Sequence, residues 1–84
     1  MRFVHDPGHG WLEVPVSKIN ELGIADAISR FSYRNGQLAY LEEDCDAPLF
    51  KDAWTRTYGE WPQVTEIFQE NTPIRDFPRW AIQE

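Results

Sequence analysis

The chain has 84 residues, with eight Lys/Arg, fourteen Asp/Glu, one cysteine and a formal net charge of −6. That length suits one domain, 1–84; a lone cysteine closes no internal disulfide, and no stretch approaches the ~20 apolar residues of a membrane span. The acidic balance and scattered bases argue against direct nucleic-acid binding, because neutralising phosphates needs a basic stripe.

Residues 2–4 can open a strand, Asp6-Pro7-Gly8 is a turn signal, and Trp11-Leu12-Glu13-Val14 alternates like a half-buried strand, so residues 1–14 read as a hairpin or two short strands. Ser17 is the expected N-cap of a short helix over 17–22, stopped by Gly23, with Ile19 and Leu22 facing inward. Asn35-Gly36 between alternating residues predicts a β-hairpin over 31–41 with a type I′ turn, and Phe31, Tyr33 and Leu38 are expected in the core.

Asp46 followed by Pro48 reads as an N-cap, and Leu49, Phe50, Ala53, Trp54 and Thr57 recur at helical spacing down to Gly59, which predicts the main helix over 46–58. Val64–Phe68 alternates like a strand. Pro73 and Pro78 keep the C-terminal tail extended, and Ile74, Phe77 and Trp80 are expected to pack it across the sheet. The fold class is therefore α+β: a small antiparallel sheet with helices covering one face and an extended C-terminal tail. Twelve aromatic residues, four of them Trp, supply a core, since each removes about 150–250 Å² from water when buried.

Charge is concentrated in one place. Residues 42–46 hold four acids and no base, while residues 1–41 carry equal numbers of each sign. Glu42, Glu43, Asp44 and Asp46 could present carboxylates to a partner with a basic surface, where complementary charge speeds encounter. The structural alternative is that acids belong ahead of a helix N-terminus, with Asp46 as the cap. Trp61, between Glu60 and Pro62 and outside any periodic pattern, is the candidate aromatic anchor of an interface.

Other constellations carry less chemistry. Asp44 and Asp46 offer two oxygen ligands but lack the rest of a calcium loop. His5 and His9 are four residues apart, yet Pro7 and Gly8 forbid the helix that would aim both at one zinc, and further ligands are missing. Cys45 has no glycine-framed nucleophile context. No catalytic residue, metal ligand or cofactor is assigned, and a small metal-dependent enzyme stands only as an alternative. A monomer is expected ahead of a dimer, the dimer alternative being an accessory domain that pairs the edge of the 64–68 strand.

Three segments, His5-Asp6-Pro7-Gly8-His9-Gly10-Trp11-Leu12-Glu13-Val14-Pro15, Leu41-Glu42-Glu43-Asp44-Cys45-Asp46-Ala47-Pro48 and Pro73-Ile74-Arg75-Asp76-Phe77-Pro78, together resemble a family of small, functionally unassigned proteins encoded by phages and other mobile elements. The resemblance carries no catalytic residues. It implies a setting of phage–host conflict in the cytoplasm of a bacterial host cell, where small acidic proteins act as anti-CRISPR or anti-restriction inhibitors by occupying a nucleic-acid-binding surface.

Overall fold

The computed structural model describes residues 1–81. Strand β1 (Arg2–His5) turns back into β2 (Gly10–Pro15), with Val4 opposite Trp11 and Arg2 opposite Glu13. The turn is built by Asp6, whose Oδ1 accepts the backbone N–H groups of Gly8 and His9 at 2.9 and 2.8 Å. Gly10 is required at the start of β2, because a Cβ there would collide with the ring of Phe3.

Helix α1 (Val16–Glu21) starts one residue before the expected position. Ser17 is not its cap. Pro15 sits at the cap with an extended backbone, and the N–H of Val16 donates to the Gln37 carbonyl at 2.9 Å, so the hairpin turn satisfies a helix-end donor. A short 3₁₀ helix, Ala25–Ala27, leads to β3 (Tyr33–Asn35) and β4 (Leu38–Glu42). The main helix α2 (Asp46–Tyr58) has the predicted bounds and ends on Gly59 at φ 79°, whose N–H returns to the Thr55 carbonyl. Strand β5 (Thr65–Phe68) and a 3₁₀ turn, Ile74–Asp76, complete the order.

The 31–41 hairpin is present with its turn one residue later than expected. Asn35 pairs with Leu38, so the two central residues are Gly36 and Gln37, and Gly36 at φ 63° takes the first central position as in a type II′ turn. Moving the turn by one residue changes each cross-strand partner by two, so every side chain keeps its face and only its neighbour differs. Tyr33 now stands opposite Tyr40 instead of Leu38, and Leu38, which pairs with Asn35 beside the turn, is exposed, as is Phe31; both were expected in the core.

The five strands lie in the order β3-β4-β2-β1-β5. Pairing is antiparallel through the first four, but β5 joins β1 in parallel, so the sheet is mixed rather than wholly antiparallel. The cause is connectivity: the α2 crossover returns the chain to the same end of the sheet.

Both faces are covered, by different means. On one, Leu12, Val14, Ala39 and Leu41 pack against Val16 and Ile19 of α1 and Ala47 and Phe50 of α2. On the other, Val4, Trp11 and Tyr40 lie beneath Ile74, with Tyr33 and Phe77 at the margin. The tail leaves β5 at one edge, crosses this second face, and ends beside β3 at the opposite edge. There Arg34 N–H donates to the Pro78 carbonyl and Trp80 N–H to the Ser32 carbonyl, both at 2.8 Å. Trp80 then rounds the edge into the helix-side core, only 3% exposed, with its indole N–H on the Ala25 carbonyl.

Candidate functional site

On the tail-covered face, the β1–β2 turn, β2, β3, the turn after β4 and the tail surround a groove of about 380 Å³. Its floor is aromatic: Trp11 and Tyr33 meet edge to face at 6.4 Å, with His9 beside Trp11. The Arg75 guanidinium lies 5.0 Å over the Trp11 ring and that of Arg79 5.3 Å over Tyr33. Phe31, 64% exposed, stands at the rim, and Glu42, Asp44 and Cys45 form the facing wall. The groove therefore carries both signs of charge, Arg75 and Arg79 from the tail and Glu42 and Asp44 from the end of β4 and the turn after it.

Arg75 is positioned by Asp6, an almost fully buried carboxylate that also holds the Gly8 and His9 N–H groups. The Arg75 bond, with those N–H groups, keeps the Asp6 carboxyl well below the usual carboxylate range against the opposing effect of burial. Arg79 is steadied by a 2.8 Å bond from Nη1 to the Arg30 carbonyl. Neither arginine was identified from the sequence as part of a site; their neighbours are Trp11 and Asp6 for Arg75 and Tyr33 for Arg79. The only local signal was the alternation of basic and aromatic residues at 75–80; the partners come from the far end of the chain.

The four acids at 42–46 do not form one patch. Glu42 turns its carboxylate onto its own chain, where Oε2 accepts the N–H groups of Asp44 and Cys45 at 3.0 and 2.9 Å. Asp44 shares the groove with it, whereas Glu43 borders two other hollows, one of them beside Lys51. Asp46 points inward and is 2% exposed, which removes it from any contact surface. Nor does it cap α2: its oxygens accept Ser29 N–H at 3.1 Å, Ser29 Oγ at 2.6 Å, and Ser32 Oγ. Ser32 Oγ in turn accepts the Glu42 N–H, so Asp46 pins the 29–32 loop to the start of α2 and the end of β4. The sequence reading failed here because burial of the carboxylate depends on two serines brought in from a preceding loop.

Among the described residues the ion pairs are Arg2–Glu13, Lys18–Glu21 and Arg75–Asp6; none engages Glu42, Glu43 or Asp44. Trp61 is 64% exposed, but it follows the C-terminus of α2, a thirteen-residue helix spanning about 20 Å. It lies apart from the groove at the helix's other end.

Cys45 lines the groove as a free, exposed thiol. The Glu42 carboxylate beside it, with burial, pushes its pKa up, which keeps it in the less nucleophilic thiol form. His5 packs between Phe3 and Phe68 on the helix-side face, away from His9. Among the described residues no three His, Cys, Asp or Glu side chains come together as a metal-ligand set, and no helix is long and apolar enough to cross a membrane. No family model, curated protein or solved structure matches the chain.

Proposed function

We propose that this chain is a non-enzymatic acidic protein-binding module of a phage or mobile element, which inhibits a host defence nuclease or CRISPR complex by covering a basic nucleic-acid-binding surface. The observation that carries the reading is the acidic turn: Glu43 and Asp44 are exposed, and no base of the described residues pairs with them. Unpaired surface carboxylates raise the encounter rate with a cationic partner and select against anionic ones. A basic side chain of the partner would enter the groove between Phe31 and the Glu42–Asp44 wall, with its apolar stem against the ring.

Two outward carboxylates are few for imitating a nucleic-acid strand. Recognition on this reading therefore rests on shape and aromatic contact in the groove, with charge steering the approach. Trp61 supplies a second exposed aromatic surface for a large partner.

The test is affinity capture from host lysate at low salt with the parent chain and with Glu43→Lys/Asp44→Lys. This pair avoids Glu42, whose carboxylate holds two backbone N–H groups. Basic nucleic-acid-handling proteins should be enriched by the parent, lost in the variant, and released as salt rises. Capture of the same proteins by both chains, or of no basic protein by either, would refute the proposal.

A further inference from the structure

The two edges of the sheet are treated differently. The β3 edge is closed by the chain itself, through the Tyr33–Arg79 bridge and the bonds to Pro78 and Trp80. The β5 edge is open: β5 is the terminal strand, and among the described residues nothing pairs with its outer side. The N–H groups of Thr65 and Gln69 point inward to the Met1 and His5 carbonyls at 2.9 Å. Alternation therefore directs the N–H and C=O groups of Glu66 and Phe68 outward. The strand Thr-Glu-Ile-Phe has no Pro, Lys or bulge of the sort that protects edges, and its only charge is Glu66. Trp61, four residues before it, and Phe68, at its end, are 64% and 58% exposed.

We infer that this edge is the docking site for a second copy of the chain, β5 pairing antiparallel with β5 about a two-fold axis through Ile67. The register follows from which groups face outward. Two symmetric pairings overlap most of the strand. One, centred on Glu66, places Glu66 directly against its own copy, which like charge opposes. The other, centred on Ile67, sets Glu66 opposite Phe68 of the second copy and Phe68 opposite its Glu66, and both are residues whose backbone groups point outward.

That second pairing forms four backbone hydrogen bonds with no like-charge contact. It also extends an existing apolar row: Val4 neighbours Ile67 on the tail-covered face, and Ile67 would meet Ile67 and then Val4 of the second chain. The result is a continuous ten-stranded sheet with an isologous interface. The groove borders β3 and the tail, so both copies of it stay open. With a net charge of −6 on each chain, long-range repulsion opposes association, which must therefore strengthen with salt. Binding through the acidic turn has the opposite salt dependence, so the two proposals fail separately.

The experiment is register-specific cross-linking in the full chain with Cys45→Ser, comparing Ile67→Cys with Thr65→Cys, which both keep Glu66, under oxidised glutathione, which takes the two electrons and two protons released. Position 67 faces itself across the axis as a non-hydrogen-bonded pair about 4.5 Å apart at Cα, within disulfide reach, so its covalent dimer should form about tenfold faster than that of position 65, which lies opposite position 69. Random collision predicts the reverse, because Thr65 is the more exposed residue. Sedimentation of the unaltered chain should move toward twice the single-chain mass with rising concentration, and further at about 0.5 M than at about 0.05 M salt. Faster or equal cross-linking at position 65 overturns the register, and a single-chain mass at every concentration and salt overturns the interface.

Discussion

Replacing Asp46 with Ala tests whether this carboxylate is an internal tie or only a helix-end charge. In the parent it accepts three donors: Ser29 N–H, Ser29 Oγ and Ser32 Oγ. Ser32 is fully buried, so water cannot replace the lost acceptor without opening the loop. A hydrogen bond to a charged group contributes about 1.5–3 kcal/mol, so leaving two of these donors without their acceptor costs about 3–6 kcal/mol. For a domain of this size each kcal/mol shifts the melting temperature by about 4–8 °C, so a fall of about 15–30 °C is expected. Loss of a simple cap would cost only about 0.5–2 kcal/mol. Thermal unfolding followed by tryptophan fluorescence separates the two. A double-mutant cycle with Ser32→Ala should show coupling above about 0.5 kcal/mol. A melting temperature within about 3 °C of the parent, or additive behaviour in the cycle, would refute the assignment of Asp46 as a tie.

Two further outcomes follow from the same reasoning. Because Arg75 and two backbone N–H groups depress the Asp6 pKa in the folded state, the stabilisation is present above the unfolded value, roughly pH 4, and is lost as pH falls through the lower folded value; melting temperatures from pH 7 to 2 should show an acid limb that flattens in Asp6→Asn, and an unchanged limb contradicts the pairing. Trp80→Ala removes a nearly buried indole and its bond to Ala25, a loss of about 3–5 kcal/mol that urea denaturation should register, whereas a midpoint unchanged from the parent would mean that the tail does not complete the core.

How much the sequence disclosed depends on how local each signal is. The bounds of α2 were legible because Pro48 and Gly59 act within a turn of the helix ends, although Asp46 starts the helix without capping it. The 31–41 hairpin was legible as an element, but its register was not: Asn35-Gly36 and Gly36-Gln37 both place a glycine where positive φ is needed, and packing of Tyr33 with Tyr40 decides between them. Parallel docking of β5 had no local signal, since Thr65 meets Arg2 from the far end of the chain. The candidate site was half visible. Acids at 42–46 stand out in any charge count, but their three directions depend on the end of β4 and on Ser29 and Ser32. The arginine-topped aromatic floor exists only because the tail crosses the sheet.

That crossing also bears on how the polypeptide matures as it is synthesised. β1 emerges first, yet its outer neighbour is encoded more than sixty residues later, and one sheet face lies bare until Ile74 and Phe77 arrive. Pairings so distant along the chain slow folding and prolong exposure of sticky surface. Nascent chains halted before residue 74 should therefore be captured by chaperones, while those that include residue 80 escape them.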